Sequence, residues 1–466
     1  MARSSRQSTF LELREKYPFF VFEKQEYSLT KQGLQIRFTF NLADQYHFYP
    51  SIFMPRNSGF LPDHKIIDHL DNIIFNLGMI ELISYWKAAC SPRLVIKPFA
   101  LSREQVAWWK NLYFLGLGEF FYLNSIDVSV ENFMHMEVAS TTALRSEKFI
   151  LDEAVIIPVG GGKDSAVTLE LLGNRPGSIP LIMNPRGASL ATIAAKGFSQ
   201  NQFFEIQRTI DPTLLRLNEQ GFLNGHTPFS ALLAFITALS AIVTGHRHVA
   251  LSNESSANEA TIEGTEINHQ YSKSFKFESD FRDYVSRWIS EDINYFSFLR
   301  PLNELQIAFL FSRLSQYHKV FKSCNAGSKT DSWCGHCPKC LFTCIILSPF
   351  IEEEQLTGIF GKDLFADVSL KPIFDQLTGM AEEKPFDCVG TVNEVNVALC
   401  ETIRHREAAE LPFLLKYYLN SSAFMQYSQV DFTSELFQFS SEHHLSPEFS
   451  VIIGELFDRG NSEFNG

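Results

Sequence analysis

Apolar positions along the chain follow a β rhythm first and a mixed β/α rhythm later. In Leu34-Gln35-Ile36-Arg37-Phe38-Thr39-Phe40 every second side chain is apolar, and Lys31-Gln32-Gly33 supplies a turn before them, so residues 19–54 are read as a β-hairpin. Ile66, Ile67, Leu70, Ile73, Ile74 and Leu77 then recur at helical spacing, and Ser102 with Gln105 three residues on reads as a capping box opening another helix. From about residue 150 short apolar runs alternate with helical patterns: AVIIPV at 154–159, IPLIM at 179–183, FFEI at 203–206 and HVALS at 248–252. That alternation predicts a parallel sheet with covering helices, hence an α/β fold. Phe281, Tyr284, Val285, Trp288 and Ile289 predict an amphipathic helix, and after Pro349 mixed amphipathic stretches predict a mainly helical C-terminal part. The expected division is an α+β domain over 1–148, a core over 149–345 and a helical region over 346–466.

Between Gly221 and Gly245 there is no Asp, Glu, Lys or Arg. Asn224, His226, Thr227 and Pro228 interrupt the front of that segment, leaving about 15 apolar-rich residues where a membrane span needs roughly 20. It is read as a buried helix over Phe229–Val243. Forty Lys and Arg against 53 Asp and Glu give a net charge of -13, which disfavours nucleic acid as a partner. The first residues, MARSSRQSTFLELREKYPFF, contain no apolar run of signal-peptide length, so a cytoplasmic location is expected, with no membrane attachment. Hydrophobic residues at 45% and charged residues at 20% are ordinary for a globular protein, and the 44 Phe add packing bulk without a polar handle.

Candidate chemistry begins at Val159-Gly160-Gly161-Gly162-Lys163-Asp164-Ser165, between the first core strand and a helical run. Glycines let the backbone approach an anion, and a helix N-terminus offers unpaired N–H groups, so phosphate binding is the expectation and a plain tight turn the alternative. Asp164 stands where a Walker A loop would place Ser or Thr, which excludes that motif. Past the strand ending at Ser252, Glu254 and Glu259 join Asp164 as hard oxygen ligands for Mg2+. Asn253 or Ser252 capping a helix, with Glu259 serving only its dipole, is the bland alternative.

The VGGGKDS stretch resembles the SGGxDS pyrophosphate loop of the N-type ATP pyrophosphatases, which split ATP into AMP and pyrophosphate while adenylating a substrate. Gly161, Gly162, Asp164 and Ser165 match that motif, and Gly160 stands in place of its usual serine. The resemblance implies an adenine nucleotide alpha hydrolase-like core that binds ATP through Gly160, Gly161, Gly162, Ser165 and Glu254, with adenine near Met183 at the end of the second strand. Lys163 is then placed to neutralise phosphate charge, with a solvated lysine as its alternative.

Five of the eight cysteines fall between positions 324 and 344. Cys324, Cys334, Cys337 and Cys340 give CxxCxxC with a fourth cysteine upstream, the ligand set of a structural Zn2+ site. Iron–sulfur ligation and a redox CxxC are the alternatives. His336 and Cys344 are spare candidates, Cys344 reading better as a small buried residue.

The cysteine cluster resembles the zinc site of 7-cyano-7-deazaguanine synthases. The long flanks and the phrases LNGHTPFSALLAF, LSNESSANEA and NHQYSKSFKFE resemble instead the UDP-N-acetylmuramoyl-L-alanyl-L-glutamate epimerases. That resemblance implies a UDP-muramoyl dipeptide as small-molecule substrate, whose terminal L-Glu becomes D-Glu at the expense of ATP. A base is then required, and His226, His246, His248 and His269 are the candidates near the ligand loops, with His226 taken as catalytic beside Lys163 and Asp164. Tyr271, Lys273, Lys276 and Arg186 form a basic and aromatic set that could meet an acidic substrate. A nucleobase-modifying ligase, a transfer-RNA thiolase and an inactive nucleotide-binding scaffold remain as rival readings, and oligomeric state stays open.

Overall fold

A computed structural model describes residues 6–56, 64–259 and 268–464. Two compact units interleave along the chain: Met1–Ile156, Asn201–Val249 and Gly264–Tyr295 form the first, and Ile157–Gln200, Ala250–Glu263 and Phe296–Gly466 the second.

In the first unit the alternating segment forms the expected hairpin. Strands β1 (Phe19–Leu29) and β2 (Gly33–Leu42) pair antiparallel with Phe20 opposite Leu42. Thr30 closes the turn, its N–H donating to the Gly33 carbonyl at 2.9 Å. β3 (Tyr46–Phe48) and β4 (Ser51–Pro55) both pair antiparallel with β2, while β5 (Arg93–Ile96) lies parallel to β1 and β6 (His135–Val138) parallel to β5. Alternation puts Phe20, Phe22, Phe38 and Phe40 on the buried face. The helix Asp71–Trp86 lies on them so closely that a Cβ at Gly78 would come within 2.4 Å of the Phe22 ring. The periodic stretch from Ile66 is broken in two: a short turn of helix, His64–Ile67, precedes Asp71–Trp86, and Tyr27 Oη lies 3.2 Å from the Ile67 carbonyl and 2.9 Å from Asp71 Oδ1 at the break. The capping box at Ser102 and Gln105 opens the helix Arg103–Gly116.

The later strands are β7 (Asp152–Pro158), β8 (Ile179–Met183), β9 (Phe204–Thr209), β10 (His246–Leu251) and β11 (Asn294–Ser297). β7 and β10 pair parallel, with His248 opposite Val155. β9 pairs antiparallel with β4, Ile52 facing Arg208, so the sheet is mixed rather than wholly parallel. The charge-free segment forms the buried helix Phe229–Thr244, ended by Gly245 in the left-handed region at φ 76°. Among the described residues no helix is long and apolar enough to cross a membrane.

The second unit carries the carboxyl ends of β7, β10 and β11, the whole of β8, and the loops that follow them. Beyond Pro349 its described elements are all helical, from Glu353–Phe360 to Pro447–Phe464.

Candidate active site

The glycine loop follows β7 in the second unit. Val159 N–H donates to the Leu181 carbonyl at 2.8 Å, aligning the end of β7 with β8, and the chain then turns at Gly161, whose φ is +88°. A Cβ there would lie 2.8 Å from Ser189 N and 2.9 Å from the Ala188 carbonyl carbon, so only glycine fits both the dihedral and the space. Ser165 holds the loop: it accepts from Gly161 N–H at 3.2 Å and donates to the Gly162 carbonyl at 3.0 Å. Gly162 caps the helix Lys163–Leu172 without any side-chain hydrogen bond, which leaves its first amides for an anion. At Gly160 a Cβ would meet nothing within 4 Å, so the serine of the resembling loop would fit.

Below that loop lies a carboxylate cluster that the spacing of the sequence reveals only in part. Asp164, Glu254 and Glu304 each place a ligand oxygen within 4.8 Å of the others. Asp164 is part-exposed, whereas Glu254 and Glu304 are buried. Lys163 is not a solvated lysine: it is buried, and its Nζ donates to Asp164 Oδ1 and Glu304 Oε2. Burial works against its charge, yet the two carboxylates hold its pKa above the ordinary lysine value. Burial, opposed by Lys163 and reinforced by Asp164, Glu254 and Glu394, holds the Glu304 carboxyl well above the usual range. Glu394 Oε1 accepts from Glu304 N–H at 2.7 Å, and the fully buried Arg300 donates from Nη1 to the Glu254 carbonyl at 2.5 Å. Glu304, Glu394 and Arg300 carry no ligand signature in the sequence; the local signals are the Asn303/Gln306 and Thr391/Glu394 capping boxes, which mark helix starts.

The other expected ligands separate. Glu259 is ion-paired with Lys384, apart from the carboxylate cluster. Asn253 donates to Ser297 Oγ at 3.0 Å. Met183 is half-buried at the carboxyl end of β8, just before Asn184 at φ 50°. Arg186, in the second unit, is exposed at the start of the helix Gly187–Ala195. In the first unit Tyr271 is buried against Phe277, and Lys276 pairs with Asp280 at 2.8 Å within its own helix.

Cys324, Cys334, Cys337 and Cys340 converge in the second unit. Sulfur separations are 3.7 Å for Cys324–Cys337, 3.7 Å for Cys334–Cys340 and 3.5 Å for Cys337–Cys340. Zinc–sulfur bonds of about 2.3 Å at tetrahedral angles put sulfurs roughly 3.8 Å apart, so the tetrad has the dimensions of a Zn2+ site. His336 turns its Nδ1 to the Cys334 carbonyl at 2.8 Å, and Cys344 is buried on the following helix.

His226 lies in the first unit, with His269 and a glutamate that the sequence reading did not single out. Nδ1 of His269 is hydrogen-bonded to Glu119 Oε2, Nδ1 of His226 lies 3.3 Å from the same oxygen, and the two rings are 4.7 Å apart. Burial, opposed by Glu119 and assisted by His269 and Lys87, pulls the His226 pKa down to about 4. His246 and His248 are engaged elsewhere, with Asp152 at 2.9 Å and Glu153 at 2.7 Å.

Comparison with known proteins places the whole arrangement. The MurL N-terminal domain family matches residues 12–298 and the MurL C-terminal domain family residues 320–430. The chain belongs to the MurL family. Three relatives carry the name UDP-N-acetyl-alpha-D-muramoyl-L-alanyl-L-glutamate epimerase. That of Xanthomonas oryzae pv. oryzae is 36% identical over 69% of this chain and 72% of its own length. The Micromonospora protein is 33% identical over 84% and 88%, and the Salinispora tropica protein 37% over 72% and 74%. No solved structure matches. The MurL match covers the flanks that a deazaguanine synthase reading leaves unexplained.

Proposed function

We propose that the chain epimerises the terminal L-Glu of UDP-N-acetylmuramoyl-L-Ala-L-Glu to D-Glu for peptidoglycan synthesis, activating its carboxylate as an acyl-adenylate with release of pyrophosphate and then AMP. Family membership and its named epimerase relatives carry the substrate and the inversion. The uncapped helix start at Gly162 beside the Asp164–Glu254–Glu304 cluster carries the dependence on ATP.

The residues fit both groups the reaction requires. Amides at the start of the helix, from Lys163 to Ser165, carry no side-chain cap and suit phosphate oxygens, and the open space beside Gly160 suits close approach of a ligand. Asp164, Glu254 and Glu304 are hard oxygen donors of the kind Mg2+ takes, and bound there the ion would supply countercharge to the phosphates. Lys163 keeps a positive charge beside these carboxylates, and Gly160, Gly162, Ser165 and Met183 complete the nucleotide-binding set. Zn2+ at the four cysteines is assigned a structural role.

Activation is what makes inversion chemically accessible. A carboxylate's negative charge leaves its α-proton very weakly acidic; esterifying it to AMP removes that charge and stabilises the enolate formed on proton loss. Proton removal is assigned to His226, which is neutral at pH 7 because burial disfavours its charged form. Water then releases AMP. The reading is tested by incubating the protein with ATP, Mg2+ and the UDP-muramoyl dipeptide, measuring pyrophosphate and the glutamate enantiomer ratio. D-Glu formed only with ATP and lost in Asp164→Ala supports it; D-Glu formed equally without ATP overturns adenylation.

A further inference from the structure

Glu119 sits in the short helix Gly118–Leu123, His226 in the loop before the helix Phe229–Thr244, and His269 just before Tyr271. These three segments of the first unit come together because the backbone before His226 is anchored. Lys87 Nζ donates to the Gly225 carbonyl and Asn124 Nδ2 to the Asn224 carbonyl at 3.3 Å. Two residues past His226, Pro228 approaches where Gly116 leaves room, since a Cβ on Gly116 would lie 2.8 Å from the proline ring. Spending this much anchoring on two histidines that share one carboxylate oxygen calls for a chemical account.

We propose that Glu119, His226 and His269 form the proton-transfer centre of the epimerisation, with His226 exchanging the α-proton and Glu119 and His269 positioning its ring. This rests on the function proposed above and adds two residues to it. A carboxylate oxygen accepts, so Glu119 Oε2 takes the Nδ1–H of His269, and its 3.3 Å approach to His226 Nδ1 favours the tautomer protonated there, with Nε2 as the lone-pair nitrogen. Of the two rings His226 is the more open, its side chain 22% exposed against 13% for His269.

The geometry also bears on the stereochemical role. With ring centroids 4.7 Å apart and both Nδ1 atoms turned to one carboxylate oxygen, the pair is assigned to one face of the α-carbon, His226 acting as the single base. The step therefore balances as follows. The Cα–H bond breaks as N–H forms on His226, and its electron pair passes to the acyl oxygen as an enolate. A solvent-derived proton then enters the opposite face, and His226 loses its proton to water. Nothing is oxidised or reduced. The same three side chains have ligand atoms within 4.8 Å of one another and could hold a metal ion, an alternative that the zinc content of the His226 variant tests.

The experiment uses full-length His226→Gly, His269→Gln and Glu119→Gln, checked for folding by thermal melting. Each is incubated in D2O with ATP, Mg2+ and the UDP-muramoyl dipeptide, scoring pyrophosphate, α-deuterium in recovered glutamate and bound zinc. The expected result for His226→Gly is pyrophosphate release within about threefold of the parent while α-exchange falls by ~100-fold or more, and recovers when imidazole is added. Glu119→Gln and His269→Gln should lower exchange by ~10-fold or more with the same pyrophosphate release, a split that a merely structural role would not produce. Unchanged α-exchange in folded His226→Gly overturns the proposal. So does parallel loss of pyrophosphate and exchange, or a second zinc per chain that disappears with His226. If the parent exchanges its α-proton through His226 without releasing pyrophosphate, the proton centre stands and adenylation falls; if the parent does neither, both fall.

Discussion

Lys163 Nζ donates to Oε2 of Glu304, a residue 141 positions further along the chain, and both side chains are 5% exposed. A buried ion pair of this kind is fragile to the loss of one partner, because the other charge is left without compensation. Lys163→Met is therefore expected to lose ~3–5 kcal/mol of stability, with Glu254, Glu394 and Asp164 worsening the repulsion around Glu304. Adding Glu304→Leu should recover at least about half of that loss, since the orphaned carboxylate is gone. Urea unfolding of the two variants checks this; a double variant no more stable than the single would show that the pair is not what holds the region.

Gly161 and Gly160 are neighbours with opposite tolerance. Gly161→Ala combines a φ of +88° with a Cβ 2.8 Å from backbone, and is expected to cost ~1–3 kcal/mol and to abolish pyrophosphate release. Gly160→Ser meets open space and should stay within about 0.5 kcal/mol of the parent, with ATP binding equal or tighter. Urea midpoints and ATP titration of both proteins distinguish them from a loop that merely tolerates any small residue.

How much of this was legible follows from what each signal encodes. The strands at Val155, Leu181 and Val249 were visible as short apolar runs, and the loop from Gly160 to Ser165 stood out because it sits between such a run and a helix. Periodicity reports that a segment is a strand but not its partners: Phe204–Thr209 reads as one of the core strands, and its antiparallel pairing with Ser51–Pro55 is set only in the folded chain. Glu304 and Glu394 could not be seen as ligand and ligand support, because their relation to Asp164 is made only in the folded chain. His226 was conspicuous as a polar break in an apolar stretch; its partner Glu119 looked like any glutamate in a first helical turn.

His226 also predicts a pH dependence of stability. Its ordinary pKa of 6.5 is lowered to about 4 in the fold by burial, with Glu119 opposing and His269 and Lys87 assisting. The folded state therefore binds fewer protons than the unfolded chain between those values. The contribution is fully present above pH 6.5 and is lost as the pH falls towards 4, amounting to ~3 kcal/mol at most. Subtracting the pH–stability curve of His226→Gln from that of the parent should isolate a slope confined to this window. A difference curve that is flat from pH 6.5 to 4 would contradict the assigned environment.

The cysteine tetrad makes the last prediction. Three sulfur separations of 3.5 to 3.7 Å match the edge of a zinc tetrahedron, and Gly335 at φ 70° is the turn that brings Cys334 and Cys337 round to face Cys340. Such a site adds its binding free energy to the folded state alone, so chelation or Cys337→Ser should remove one zinc per chain and lower Tm by about 5–10 °C. Cys344→Ser and His336→Ala should keep the metal, because Cys344 is buried on the helix beyond the tetrad and His336 is bonded to the Cys334 carbonyl. Metal analysis of the three variants decides the ligand set: zinc retained by Cys337→Ser, or lost by His336→Ala, would replace the four-cysteine assignment with one that includes the histidine.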